Sequence, residues 1–144
     1  MNIPYCIISI SDERADNISN IKSVFGYEPE DIKFFDISNL DDIILFKTLY
    51  PNFDLNSYLI NRKYVTNPNR SDGEIGCWMS HYHAWNHMQS KGYREFFIVE
   101  DDCFLTEGKL SEITEEIKSS GHEIFHAGQW AEFYYLNDRA TRFL

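Results

Sequence analysis

The sequence predicts an α/β domain with a mostly parallel, Rossmann-like sheet flanked by helices. Short apolar runs alternate with helical patterns along the chain, which is typical of parallel strands joined by crossover helices. Glycines follow the helical patterns at the places where helices commonly end. The most apolar run, Phe96–Val99, is followed directly by Glu100, Asp101 and Asp102. Such a run is expected for a buried strand that ends at a ligand-binding edge of the sheet.

The first predicted elements form a β-α-β unit. Tyr5–Ile10 is apolar and rich in isoleucine, as expected for a strand, and the helical pattern after it ends at Gly26. Ile32–Ile37 is then the second strand, and we expect it to pair in parallel with Tyr5–Ile10 through a right-handed crossover. The apolar stripe of the intervening helix consists of Ile18, Ile21 and Phe25.

The connection from Ser38 to Asp72 contains few structural signals. Asp41–Leu49 is predicted as one short helix, and Pro51 ends it because proline cannot continue a helix. The rest is rich in asparagine and proline and is predicted as loop. A connection of this length is either functional or a variable surface insertion, and the sequence leaves both interpretations open.

The remaining elements again alternate in type. We expect the strands Tyr5–Ile10, Ile32–Ile37, Phe96–Val99 and Ile124–Ala127 to be neighbours in one largely parallel sheet. The elements after Asp72 are a helix at Glu74–Gln89, a strand at Glu95–Val99, a helical stripe of Leu110, Ile113 and Ile117 ended by Gly121, a strand at Glu123–Ala127, an apolar run at Phe133–Leu136, and a last helix that Asn137 caps and that carries Ala140, Phe143 and Leu144.

Composition and charge restrict the class of protein. With 144 residues, of which 43% are hydrophobic and 16% aromatic, the chain is predicted as a single domain over residues 1–144. The formal charge of -10 argues against nucleic-acid binding, which needs a basic surface. The three cysteines are widely spaced, which favours a reducing compartment, and no apolar stretch is long enough for a transmembrane helix. We therefore expect a cytoplasmic protein.

The strongest candidates for a functional site are Glu100, Asp101 and Asp102. Ligands bind at the carboxyl ends of strands in open α/β sheets, and side chains alternate between the two faces along a strand. If the extended conformation continues past Val99, Glu100 and Asp102 lie on the same side. Their carboxylate oxygens suit a hard cation such as Mn²⁺ or Mg²⁺. A solvent-exposed turn is the alternative, because acidic residues are also common in turns and at helix N-termini.

The helix predicted at Glu74–Gln89 carries a second group of candidates. The stretch Gly73–Gly76 could form a phosphate-binding turn before this helix, although it is neither a Walker nor a GxGxxG motif. Cys77, Ser80, His81 and Ala84 share one helical face by their spacing. This small and polar face is expected either to line a ligand cleft or to pack closely against a neighbouring element. No group that would orient His81 is apparent, so covalent catalysis is not favoured.

A family resemblance covers the residues from Gly73 to Leu105. The pattern is Gly73-Glu74-Ile75-Gly76-Cys77-x-x-Ser80-His81-x-x-x-Trp85, followed by an apolar strand that ends in Glu100-Asp101-Asp102. It resembles glycosyltransferase family 25, the lipopolysaccharide or lipooligosaccharide biosynthesis group related to the collagen galactosyltransferases. Ile7–Arg14 and the stretch from Phe133 to Leu144 resemble the family more loosely, and residues 38–72 are not covered.

The resemblance implies a GT-A-like fold and a nucleotide-sugar donor such as a UDP-sugar. By this resemblance, Glu100 and Asp102 match the two acids of a DxD motif, which holds Mn²⁺ or Mg²⁺ against the donor diphosphate. Arg14 is expected near the nucleotide end of the sheet. The other residues expected to contact the donor are Gly76, Ser80, His81 and Asp101.

The implied function is metal-dependent transfer of a sugar, of the galactose type, to a hydroxyl group of a glycan or lipopolysaccharide acceptor. A general base should deprotonate that hydroxyl, but the sequence does not identify a catalytic residue. Two alternatives stay open. One is a non-catalytic binder of nucleotide-sugars or glycans, and the other is a different metal-dependent nucleotide-phosphate enzyme, such as a nucleotidyltransferase.

The chain is shorter than members of this family usually are, so we expect either a product truncated at the C-terminus or a minimal or degenerate relative. A missing C-terminal part would leave the apolar side chains between Phe133 and Leu144 without partners. Exposed apolar patches of this kind favour self-association.

Overall fold

The computed structural model describes residues 2–9, 14–56, 68–126 and 133–141, and it has the predicted α/β class. The described residues divide into two compact units, Met1–Ile32 with Ala84–Leu144 as the first and Lys33–His83 as the second. They contain four strands, β1 (Tyr5–Ile8), β2 (Glu95–Glu100), β3 (Ile124–His126) and β4 (Phe133–Asn137), and five helices, α1 (Ala15–Phe25), α2 (Leu40–Leu49), α3 (Pro68–Ser90), α4 (Glu107–Ser120) and α5 (Asp138–Thr141).

The sheet of the first unit has the strand order β1-β2-β4-β3. β1 pairs with β2 in parallel, whereas β4 is antiparallel to both β2 and β3. The prediction of a mostly parallel sheet is therefore wrong, because the sheet is mixed. Six residues separate β3 from β4 in the sequence, and a parallel crossover needs about a dozen or more. Adjacent strands with so short a connection can pair only in the antiparallel direction.

The predicted strand at Ile32–Ile37 is also wrong, since no regular strand forms there. Two backbone N–H groups of this segment donate to side chains rather than to a neighbouring strand. The Phe35 N–H donates to Ser80 Oγ at 2.9 Å, and the Asp36 N–H donates to the Asp42 carboxylate at 2.9 Å. The burial of Phe35 explains why the segment is apolar without being part of the sheet.

The core of the first unit includes one face of the sheet and side chains of α1 and α4. The Tyr5 ring stacks on Phe25 with 3.7 Å between ring centroids. Both helices end as predicted, at Gly26 and Gly121, which adopt left-handed backbone conformations. On the opposite face, the indole of Trp85 donates to the Tyr134 hydroxyl. The buried cluster that includes the side chains of α1 and α4 consists of Ile3, Tyr5, Ile7, Ile21, Phe25, Phe97, Val99, Cys103, Leu105, Ile113, Ile117, Phe133 and Tyr135.

The described apolar side chains of the C-terminal segment are buried, contrary to the expectation that they lack partners. β4 is an interior strand, and Asn137 caps α5 by accepting the N–H groups of Arg139 and Ala140. Phe143 and Leu144 lie outside the described residues. The buried side chains of the segment are Phe133, Tyr134, Tyr135, Leu136 and Ala140.

The second unit has its own core, to which α2 and α3 both contribute. α2 confirms the predicted helix at Asp41–Leu49, and Asn39 caps it. α3 begins at Pro68, earlier than the predicted start at Glu74, and proline is common at the first position of a helix. No described helix has the length and apolarity to cross a membrane. The core of this unit consists of Phe35, Ile37, Phe46, Leu55, Ile75 and Met79.

Asp42 should make the second unit sensitive to acid. Its buried carboxylate lies 2.9 Å from the Lys33 ammonium. Burial raises its pKa, but the Asp36 N–H and Lys33 together outweigh burial, so the pKa of Asp42 is lower than usual. A lowered native pKa stabilises the fold above the unfolded pKa of about 3.9, and this contribution is lost as pH falls through the native pKa.

Asp42→Asn should therefore lower the free energy of unfolding by about 1 kcal/mol at neutral pH, and the difference from wild type should shrink towards pH ~3. Urea denaturation at neutral and acidic pH measures this. Asp41→Asn is the matched control, because Asp41 is exposed on the same helix turn. A pH-independent difference for Asp42→Asn would contradict the prediction.

Candidate functional site

The acidic turn, defined as Glu100, Asp101 and Asp102, lies at the carboxyl end of β2. This strand is interior to the sheet, as predicted. The strand ends at Glu100, and the Cys103 N–H donates to the Glu100 carbonyl at 3.0 Å, which closes a β-turn. Side-chain alternation therefore stops at Glu100. Strand alternation therefore does not place Glu100 and Asp102 on the same side of the sheet.

Asp101 is the buried member of the acidic turn, with 2% of its surface exposed. Its carboxylate accepts a hydrogen bond from Arg14 at 2.6 Å and another from the Ser9 hydroxyl at 3.1 Å. Its backbone N–H donates to the Ile8 carbonyl at 3.0 Å and so continues the pairing of β2 with β1. The charge of Asp101 is thus neutralised within the first unit, and its side chain fixes the turn.

Arg14 immediately precedes α1 and brings a positive charge to the acidic turn. The hydrogen bond and ion pair with Asp101 raise the pKa of the Arg14 guanidinium, and Asp102 and Glu100 add to this effect. The guanidinium also lies 3.7 Å from the Asp102 carboxylate, and 45% of the Arg14 side chain is exposed. Arg14 therefore pairs with Asp101 and still presents charge to solvent beside Asp102.

Glu100 and Asp102 are the acids through which the turn could hold a cation. Glu100 is half-buried at the end of β2, whereas 44% of the Asp102 side chain is exposed. Both offer carboxylate oxygens, the donor type that Mn²⁺ and Mg²⁺ prefer. Asp101 is committed to Arg14 and Ser9, so the carboxylates of the turn whose chemistry suits a divalent cation are those of Glu100 and Asp102.

The turn is held by two helix side chains that the sequence reading did not single out. Asn17 and Asn20, on successive turns of α1, point their amides at the acidic turn and the loop after it. Asn17 donates to the carbonyl oxygens of Asp101 and Cys103, and Asn20 donates to that of Leu105. The only sequence signal was two amides three residues apart beside the apolar stripe of α1.

The glycine-containing stretch Gly73–Gly76 is not a phosphate-binding turn. It lies inside α3, where backbone N–H groups are used in the helix rather than exposed at its N-terminus. Gly76 instead allows a close approach in the second unit, because a Cβ there would lie 3.0 Å from the Phe35 carbonyl oxygen.

Ser80 and His81 are buried in α3. The Ser80 hydroxyl donates to the Gly76 carbonyl at 2.8 Å and accepts the Phe35 N–H at 2.9 Å. It thereby connects the helix to the segment around Phe35. At Ser80, the small helical face predicted from the sequence packs closely against the segment around Phe35, which is one of the two interpretations that the sequence leaves open.

Comparison with known proteins gives one family and two partial relatives. The model of "Glycosyltransferase family 25 (LPS biosynthesis protein)" matches residues 3–143. Over 50 residues, the chain is 32% identical to procollagen galactosyltransferase 1 of Danio rerio. It is also 32% identical over 50 residues to a Bos taurus protein named probable inactive glycosyltransferase 25 family member 3. Each match covers 33% of this chain and 8% of the relative.

Proposed function

The chain belongs to glycosyltransferase family 25, and from this premise we propose that it transfers a galactose-type sugar from a nucleotide-sugar donor, such as a UDP-sugar, to a hydroxyl group of a glycan or lipopolysaccharide acceptor. The observation that carries the proposal is the acidic turn at the carboxyl end of β2. Within it Asp101 is neutralised by Arg14 at 2.6 Å, and Glu100 and Asp102 supply further carboxylate oxygens.

Glu100 and Asp102 are the residues that would hold Mn²⁺ or Mg²⁺. A bound divalent cation supplies Lewis-acid stabilisation of the negative charge that develops on a leaving diphosphate. Asp101 takes no part in this binding. Its role is to hold Arg14 and the turn, since it is buried and accepts hydrogen bonds from Arg14 and Ser9.

Arg14 is the residue we propose to contact the donor phosphates. A guanidinium has five N–H donors, and the bond to Asp101 uses one nitrogen of a side chain that is 45% exposed. The chain has a formal charge of -10, so a diphosphate approaching the acidic turn needs local positive charge. A fixed arginine and a divalent cation together would provide it.

Asp102→Asn should weaken Mn²⁺-dependent binding of UDP by about tenfold or more, equivalent to roughly 1.4 kcal/mol. The substitution removes an anionic oxygen ligand while nearly keeping the shape of the side chain. Calorimetric titration of UDP into the full chain, with and without Mn²⁺, measures the effect. Asp31→Asn is the control, because Asp31 is an exposed aspartate of the same unit outside the turn.

Equal affinities of wild type and Asp102→Asn would contradict the metal proposal, and wild type that does not bind UDP would contradict the donor proposal. One alternative function has a specific observation in its favour, since one of the relatives is named as probably inactive. In that case the chain binds nucleotide-sugars without turnover. Release of UDP from UDP-galactose in the presence of an acceptor glycan distinguishes transfer from binding alone.

A further inference from the structure

We propose that Phe104 is the surface on which a pyranose ring of the acceptor glycan stacks, an inference that rests on the glycosyltransferase function proposed above. Phe104 is 84% exposed. It comes two residues after Asp102, so its Cα lies within about 7 Å of that of Asp102. Single exposed apolar residues are common on protein surfaces, but the backbone around Phe104 sets it apart.

The loop that carries Phe104 is fixed on both sides of the ring. Cys103 and Leu105 are buried, with 6% and 2% of their surfaces exposed, and both belong to the core of the first unit. The Asn17 amide donates to the Cys103 carbonyl at 3.0 Å, and the Asn20 amide donates to the Leu105 carbonyl at 3.2 Å. The backbone is thus anchored before and after Phe104, while its side chain points into solvent.

A fixed and exposed aromatic ring suits a sugar better than a nucleotide at this position. A pyranose can lay an apolar C–H face on the ring while its hydroxyl groups stay in water or donate to carboxylates. A neutral pyranose needs no positive charge beside the acids that precede Phe104, whereas the phosphates of a nucleotide need Arg14 and a divalent cation to offset the repulsion. Because the loop around Phe104 is already held in place before a sugar binds, less conformational entropy is lost on binding.

The test measures binding of methyl β-D-galactopyranoside and methyl β-D-glucopyranoside to the full chain by saturation-transfer NMR in the presence of Mg²⁺. Phe104→Ala should weaken binding of at least one pyranoside about threefold to tenfold, whereas Phe104→Tyr, which keeps the ring, should change it less than about twofold. Ile124→Ala is the control. Ile124 is 59% exposed but lies at the amino end of β3, away from the acidic turn.

Each outcome decides the proposal. It is overturned if wild type binds neither pyranoside, or if Phe104→Ala binds them as wild type does. It is also overturned if Phe104→Ala weakens UDP binding in calorimetry instead, which would assign the ring to the nucleobase. If wild type fails to bind UDP but its pyranoside binding still depends on Phe104, the donor proposal fails and the sugar contact stands.

Discussion

Arg14→Met should destabilise the chain by about 2 to 3 kcal/mol, the largest single effect we expect. The substitution leaves the Asp101 carboxylate, which is 2% exposed, without the guanidinium that lies 2.6 Å away. Removing one member of a fully buried pair costs about 3 to 5 kcal/mol. The effect should be smaller here because 45% of the Arg14 side chain is exposed, so water already screens part of the interaction.

A double-mutant cycle distinguishes the interaction energy of the Arg14–Asp101 pair from other destabilising effects of each substitution. Asp101→Asn alone should cost less than Arg14→Met, because an amide can still accept the Ser9 hydrogen bond seen at 3.1 Å and leaves no buried charge. The double variant should be more stable than the sum of the single effects predicts, by about 1 kcal/mol or more. Urea denaturation of all four proteins gives the coupling. If the effects of the two substitutions are strictly additive, the coupling free energy is zero and the Arg14–Asp101 ion pair does not contribute to stability.

The substitution Gly76→Ala should destabilise the second unit by about 2 kcal/mol. Alanine in place of glycine normally strengthens a helix by about 1 kcal/mol, but overpacking costs up to about 3 kcal/mol. A Cβ at position 76 would lie 3.0 Å from the Phe35 carbonyl oxygen. Phe35 cannot move away easily, because its ring is fully buried and its N–H is bound by Ser80 Oγ.

Gly73→Ala provides the matched control for this prediction. Gly73 lies in the same helix, but a Cβ there would meet no atom within 4 Å. This variant should be stabilised by about 0.5 to 1 kcal/mol, so the two alanine substitutions are expected to have opposite signs. Thermal or urea unfolding measures both. If Gly76→Ala stabilises the protein instead, the Phe35 segment moves away from the new Cβ without a cost in free energy, and the prediction is wrong.

The helices were the most predictable part of the fold because their signals are local. Gly26 and Gly121 end α1 and α4, Asn137 caps α5, and Asp41–Leu49 is helical as expected. Each of these features depends on residues within a few positions of one another. The sequence predicts too late a start for α3, because the glycines at positions 73 and 76 suggest a turn. In the structure both lie inside the helix, and Gly76 is required by packing.

Local sequence patterns were sufficient to predict the α/β class, the family resemblance that the comparison confirms, and the position of the acidic turn after the most apolar strand. Composition, periodicity and short motifs are properties of neighbouring residues, so they can be read without a structure. The resemblance identified the right family from residues in α3 and β2, and the family match extends over residues 3–143.

Three features could not be predicted from local patterns, because they depend on long-range packing: the direction of β4, the conformation of Ile32–Ile37, and the different environments of the three acids in the acidic turn. Strand direction depends on which partner a strand meets. The backbone N–H groups of a buried apolar segment can donate to side chains such as Ser80 and Asp42 instead of to a neighbouring strand. Three adjacent carboxylates look alike in sequence. Asp101 differs from its neighbours because Arg14, 87 residues earlier in the chain, reaches it across the fold, and contacts of such separation follow from packing rather than from local pattern.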